Sequence, residues 1–436
     1  MSLIKSYLTL KEYRLDPLAF IIKVHKQQGH RVRLNIFGKK LFIVSHPQDV
    51  LHVLKNNHGA YTKGRTTRAL RQFLGSGLIT NEGDSWRKQH RMIRPVMNPK
   101  SVYNLAPKIF DTSVEFLPEI EKHKKELDGF REMNRLTWRI ILKTLFSQNI
   151  TTEMDDWLGE ILELMQIITS KTRSSIPIPF WIPTKNNLRM KTIIKKFDNY
   201  VYNLIDGRRQ GVRKDDLLQL LIDAQEEGTA QMTDHEIRDE IMTFLMAGHE
   251  TITNSMTWVL IEVAKNPDYL KHLRQESEQL FQHKNFEEFN SLPWHGAIID
   301  EVMRLWPPVW VFMRQAEQED IIGDLKIPPK ANVVLAPFLS HRSSDFWNEP
   351  EKFMPERFLP EAKKKIPQGA FYPFGLGPRA CIGAYFAGME ARIILATLVH
   401  HFDWSILKVE DQQSEAGITL RPTTNIMMEF RRRSES

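Results

Sequence analysis

Cysteine is all but absent. One thiol, Cys381, serves a chain of 436 residues, so no internal disulfide can form, which fits a reducing compartment. Long apolar runs are missing as well. The first 30 residues contain no stretch able to span a bilayer and none of the ordered regions of a secretory signal. The expectation is a cytoplasmic protein with no transmembrane anchor. Charge of one sign is not abundant: 60 Lys and Arg against 53 Asp and Glu leave a net +7, modest for this length, and no nucleic-acid partner is expected. Phosphate-binding glycine loops and zinc-type Cys/His spacings are lacking. So are internal repeats, biased tracts and any flexible linker.

What is present is an ordinary globular composition, 42% hydrophobic and 26% charged, with apolar content enough for a large core. RVRLNIF and KLFIVS, either side of Gly38-Lys39, alternate as a β-hairpin does. Helical periodicity dominates from there to about residue 306, with Pro-rich breaks at 176–184 and 307–308. Strand-like pieces, a long irregular stretch over 340–380, one apolar helix after Cys381 and closing strands complete the chain. RRRSES reads as a frayed tail. The pattern predicts one mainly α domain over residues 1–436. A small β lobe would comprise about 30–60 plus the C-terminal strands, and a helical lobe about 85–306 and 383–401.

The most legible helix is TDHEIRDEIMTFLMAGHETITNSMTWVLIEVAKNP. Thr233 and Glu236 form a capping box at its start and Pro267 closes it. Such a rod spans roughly 45–50 Å, enough to cross a domain. Its apolar face is interrupted by Ala247-Gly248-His249-Glu250-Thr251. A mid-helix glycine costs about 1 kcal/mol relative to alanine, and an acid beside a hydroxyl needs partners there. A solvent-facing dip is the bland explanation.

FGLGPRACIG, residues 374–383, holds the lone thiol. An inert buried cysteine is the ordinary reading of a single thiol. Here Gly375, Gly377 and Gly383 permit a tight turn and bring backbone N–H groups toward the sulfur. Arg379 and the start of the following helix favour negative charge on it. A nucleophile would need a base, and no neighbouring histidine supplies one. A rigid, anionic sulfur shielded by Phe374 suits a metal ligand better.

This segment resembles the haem-binding loop of the cytochrome P450 family, Phe-x-x-Gly-x-Arg-x-Cys-x-Gly, at Phe374, Gly377, Arg379, Cys381 and Gly383. Three further motifs resemble that family's in the same order: AGHET at 247–251, Glu301-x-x-Arg304, and PERF at 355–358 with Arg357. The resemblance extends from about residue 30 to 430. It implies the P450 fold, with haem b (iron protoporphyrin IX) between the long central helix and the cysteine-loop helix. Cys381 would be the axial ligand, its thiolate favouring O–O cleavage. Glu250 and Thr251 would relay protons. Ala247 and Gly248 would leave room for oxygen and for a local helix distortion, and His249 is read as non-catalytic. Glu301, Arg304 and Arg357 would form a buried ionic cluster with a structural role. Trp86 and His90, four apart on one helical face, would donate to the haem propionates with Arg314 and Arg379.

The resemblance further implies a haem-thiolate monooxygenase that inserts one atom of O2 into a small lipophilic organic substrate. No flavin or iron–sulfur segment accompanies the haem region, so the expected electron donor is a separate ferredoxin or flavodoxin with its reductase. It would dock on basic residues Arg87, Lys88, Arg91, Arg94 and Lys363–Lys365. Phe244, Val309, Val311 and Phe312 suggest an apolar substrate pocket. Lys63, Arg65, Arg68 and Arg71 would suit an anionic end such as a fatty acid's, with polyketides and terpenoids as open alternatives. Other functional readings are a peroxide-driven peroxygenase, a non-catalytic haem-binding sensor and a cysteine hydrolase.

Overall fold

The N-terminal hairpin forms as the alternation predicts: β1 (Arg31–Ile36) and β2 (Lys39–Val44) pair antiparallel from Arg31↔Val44 to Ile36↔Lys39. Its turn is Phe37-Gly38, one residue earlier than expected, with φ of 49° and 79°. Two central residues at positive φ match the twist of the flanking strands. The computed structural model describes residues 3–122, 126–149, 152–173, 178–211, 213–226, 232–284, 286, 292–408, 414–422 and 426–433. The side chains of 3–5, 65, 66, 68, 152–156, 173 and 226 lie outside the description, Arg65 and Arg68 among them, as do residues 176 and 177 of the first Pro-rich break.

The remaining strands are β3 (Tyr61–Lys63), β4 (Leu127–Asp128), β5 (Phe312–Ala316), β6 (Asp320–Ile322), β7 (Leu325–Ile327), β8 (Asn332–Leu335), β9 (Phe402–Ile406), β10 (Ser414–Ala416), β11 (Leu420–Pro422) and β12 (Met427–Arg432). The hairpin is completed from far along the chain, in the order β1-β2-β8-β5-β3 with β2 and β8 parallel. The C-terminal strands do not join it. They build β4-β12-β9 and the ribbon β10-β11. The basic run before the C-terminus is not frayed over residues 431–433: Arg431 and Arg432 lie in β12, and Arg433 donates to the Val399 and His400 carbonyls. Residues 434–436 lie outside the described residues.

Two helices precede the hairpin, α1 (Leu3–Leu15) and α2 (Pro17–Gln28). The helices that position the site are α3 (Gly83–Ile93), α4 (Gly129–Leu145), α5 (Thr152–Arg173), α6 (Lys185–Gln210), α7 (Asp234–Lys265), α8 (Pro293–Leu305) and α9 (Ala384–His401). The capping box at Thr233 and Glu236 forms in full, and α7 runs 32 residues. Trp138 and Ile141 of α4, Met256 and Val259 of α7, Val302 of α8 and Ile394 of α9 share one buried core. Burial of this kind contributes about 1.5–3 kcal/mol per large side chain. The result is a mainly helical protein with small sheets, and no helix among the described residues is long and apolar enough to cross a membrane.

Candidate functional site

The cysteine loop is folded by its glycines. Gly375 and Gly377 have φ of 71° and 72°. A Cβ on Gly377 would lie 1.9 Å from the Leu54 carbonyl oxygen, so this position has neither the conformation nor the space for a side chain. The loop closes when the Cys381 N–H donates to the Phe374 carbonyl (2.8 Å). α9 begins three residues later. Cys381 is solvent-accessible; the protein packed about it raises its thiol pKa while the Gly383 N–H opposes that rise. An accessible sulfur on so rigid a loop is placed to meet a ligand.

The second accessible surface lies on α7, which packs on α9. From Ile237 to Val263 every residue of α7 is buried except Ala247, Gly248 and Thr251. These three share one face of the rod. The expected local distortion does not occur, since α7 is α-helical throughout; a π-helical turn forms instead at His52–Asn56, beneath the cysteine loop. The Thr251 hydroxyl donates to the Ala247 carbonyl (2.7 Å), a back-bond a helix accommodates without a break. Gly248 is small for a further reason: a Cβ there would lie 2.6 Å from Ile141 Cδ1 of α4. His249 turns away from this face. Its Nε2 meets the Asn134 side-chain oxygen (2.5 Å), its ring packs edge-on against Trp138, and burial holds its pKa near 4. It is a neutral structural group.

Cations gather beside the cysteine loop. Arg379 donates to Glu82 (2.5 Å) and the Asn81 carbonyl (3.1 Å), and its guanidinium lies 3.6 Å from the centre of the Trp86 ring. Trp86 packs on His90, with ring centres 5.0 Å apart. Arg314 reaches the same region from β5, donates to the Met313 carbonyl (3.2 Å) and forms no ion pair among the described residues. Lys63, at the end of β3, joins them. Its Nζ donates to the carbonyls of Leu78 (3.1 Å) and Ile79, and its N–H to Glu82 (2.7 Å). Burial, then the nearby Arg379, lowers its pKa to about 7; burial likewise brings Arg314 to about 10. Three half-buried cations therefore gather about Glu82, and the buried Glu240, pushed up to about 8 by burial, also faces Lys63. The excess of positive charge fits a ligand bearing carboxylates, as haem does. Lys63 was expected to face a substrate's anionic end, not this cluster, and Glu82 escapes a sequence reading because its partners come from distant segments.

Glu301, Arg304 and Arg357 do come together. Arg304 grips Glu301 through both carboxylate oxygens (2.7 and 2.8 Å) and donates to the carbonyls of His341, Pro350 and Lys352. Glu301 also accepts from the Met354 N–H (2.8 Å), and Arg357 Nε lies 3.5 Å away. Both main partners are fully buried. With Glu301 and Arg304 hydrogen-bonded through both ends, this knot fastens α8 to the 341–357 segment.

Glu250 is buried but does not meet Thr251. Its carboxylate accepts from the Thr419 hydroxyl (2.7 Å), and burial raises its pKa. It lines a cavity of about 450 Å³ with Arg14, Thr169, Ser170 and the β10–β11 ribbon. Phe244, Val309, Val311 and Phe312 do not line that cavity; Phe244 is buried in the main core and Val311 packs toward α2. Of the basic surface residues, Arg87 pairs with Asp84, Lys363 with Asp300 and Lys364 with Glu361, while Arg91, Arg94 and Lys365 are exposed. Among the described residues no three His, Cys, Asp or Glu side chains could hold a metal ion together. Iron would have to arrive with its own equatorial ligands.

Comparison with known proteins agrees with this arrangement. The family model described as Cytochrome P450 matches residues 3–430. Cyclooctatin synthase of Streptomyces melanosporofaciens is 27% identical over 391 residues, covering 88% of this chain and 84% of that protein. Pentalenene oxygenase of Streptomyces avermitilis is 26% identical, with 88% and 86% covered. Cytokinin hydroxylase of Arabidopsis thaliana is 29% identical, with 82% and 72% covered.

Proposed function

Because the chain belongs to the cytochrome P450 family, as an oxygen-incorporating oxidoreductase that uses haem b, we propose that Cys381 supplies the thiolate to that haem. The reaction is then the hydroxylation or epoxidation of a small lipophilic substrate, with residues 1–436 acting as one domain. The observation that carries this reading is the accessible Cys381 in its glycine-folded loop, beside the half-buried cations Arg379, Arg314 and Lys63.

With haem b in place, electron donation from the thiolate favours O–O cleavage. The chain's own groups do the rest. The Gly383 N–H points at the sulfur and favours its anionic form. Arg379, Arg314 and Lys63, with Trp86 and His90 behind them, bind the two propionates. Phe374 and Gly375 shape the wall that shields the thiolate. Ala247 and Gly248 keep the distal face of α7 low enough for O2. Thr251 and Glu250 hold and pass protons there, Thr251 by releasing the Ala247 carbonyl and Glu250 by turning from Thr419.

The names cyclooctat-9-en-7-ol 5-monooxygenase and pentalenene oxygenase favour an alkene or alkenol substrate. A fatty acid is less well served: Arg71 is committed to Ser76. Electrons would come from a ferredoxin or flavodoxin with its reductase, through the exposed Arg91, Arg94 and Lys365. A panel of cyclic alkenes, alkenols and fatty acids, scored by haem spin-state shift and then by oxygenated product with a ferredoxin and its reductase, tests this. Shifts and product with alkenes or alkenols are expected. Response to fatty acids alone would overturn the substrate assignment, and no oxygen-dependent NAD(P)H consumption with the donor proteins would favour a non-catalytic role.

A further inference from the structure

Glu250 is fastened from one side. Asn254 Nδ2 donates to Thr419 Oγ1 (3.1 Å), and Thr419 Oγ1 donates to Glu250 (2.7 Å). An amide nitrogen can only donate, so the Thr419 hydroxyl hydrogen is directed at Glu250. Thr419 sits in the turn of the β10–β11 ribbon, where the Gly417 N–H donates to its carbonyl (3.0 Å). Both Glu250 and Thr419 line the cavity of about 450 Å³ that the ribbon closes against α1 and α5. Arg14, Gln166, Ser170, Glu415 and Arg421 give its other walls polar groups, beside the apolar Met165 and Ile418. A space of that size with polar groups on several sides holds several waters.

Few charges face the acid. α1 contributes Arg14, α5 contributes only neutral side chains, and the ribbon contributes Glu415 and Arg421, which pair with each other (2.7 Å). His249 on α7 points to Asn134. We propose that this cavity is the water inlet to Glu250 and that Thr419 is the positioning residue holding the Glu250 carboxyl at it. The inference rests on Glu250 being the acid that serves Thr251. A proton that Glu250 passes on is replaced from cavity water, and the carboxyl ends the cycle as it began.

The experiment follows the carboxylic C=O infrared band of Glu250 in the haem-loaded protein, identified by its loss in Glu250→Gln. It is titrated with pH and timed after transfer to D2O. Thr419→Val should move the band to higher frequency and raise its pH midpoint, because a donor favouring the charged form is gone. Product formed per electron consumed should fall about tenfold, the weight of one hydrogen bond. Thr419→Ser should restore all three. Ser170→Trp, narrowing the cavity, should slow the D2O shift. An unchanged band and midpoint in Thr419→Val would overturn the positioning role, and an unslowed D2O shift would overturn the inlet. Full coupling in Glu250→Gln would instead remove the relay reading, while the band still reports whether Thr419 holds the acid.

Discussion

Lys63→Met should act in opposite directions on the empty and the loaded protein. In the chain alone, Lys63 falls from 10.5 to about 7 through burial and the neighbouring Arg379. At 1.36 kcal/mol per pH unit this is a destabilisation of order 5 kcal/mol. The sign follows from the unfolded chain holding the proton more tightly. The cost is full below about pH 7 and fades as pH rises toward the unfolded value, so apoprotein stability should climb across that window. Replacing a buried charge by a similar apolar side chain commonly returns about 1–4 kcal/mol, and Lys63→Met apoprotein should gain that much at pH 7 and little near pH 10. With haem bound, the same variant loses a charge-assisted hydrogen bond of about 1.5–3 kcal/mol, so haem affinity should drop roughly ten- to a hundredfold. Urea unfolding of the apoprotein at several pH values, with haem transfer to excess haem-free globin, measures both. Lower apoprotein stability in Lys63→Met, or unaltered haem retention, would refute the reasoning.

Three further outcomes are expected. Arg304→Ala should destabilise the protein by about 3–5 kcal/mol in denaturant unfolding, since it leaves Glu301 buried without its bidentate partner. Gly248→Ala should cost about 1–3 kcal/mol by overpacking Ile141. Adding Ile141→Val should recover part of it, a coupling a double-mutant cycle reads directly. Thr251→Ala should leave substrate-induced spin shifts intact while diverting on the order of a hundredfold more oxygen to peroxide, the scale of a lost proton-transfer group.

Legibility in the sequence followed range. The long central helix was readable because its start signal is local: Thr233 and Glu236 sit three apart and satisfy each other. The cysteine loop was readable for the same reason, its glycines, arginine and thiol lying within ten residues. Glu301 and Arg304 share one helical turn and were visible as a pair, but the carbonyls of 341, 350 and 352 that complete the knot come from a distant segment. The pairing of β2 with β8 joins residues nearly 300 apart and leaves no local trace. α1 was missed because LIKSYLTLKEYRL presents no clean apolar face and leaves Leu8 and Leu15 exposed. Glu250 was recognised as an acid, but its partner Thr419 arrives on a ribbon 169 residues later. Chemistry-bearing residues showed themselves individually, and the company they keep is tertiary.

The central claim is that Cys381, as a thiolate, holds the iron of a bound haem b. The most direct measurement is the absorption spectrum of the purified protein, reduced and saturated with carbon monoxide. The account predicts a Soret band at the strongly red-shifted position that a thiolate ligand gives, lost in Cys381→Ser. A band at the ordinary histidine-type position in the unmodified protein, or no haem uptake at all, would contradict it.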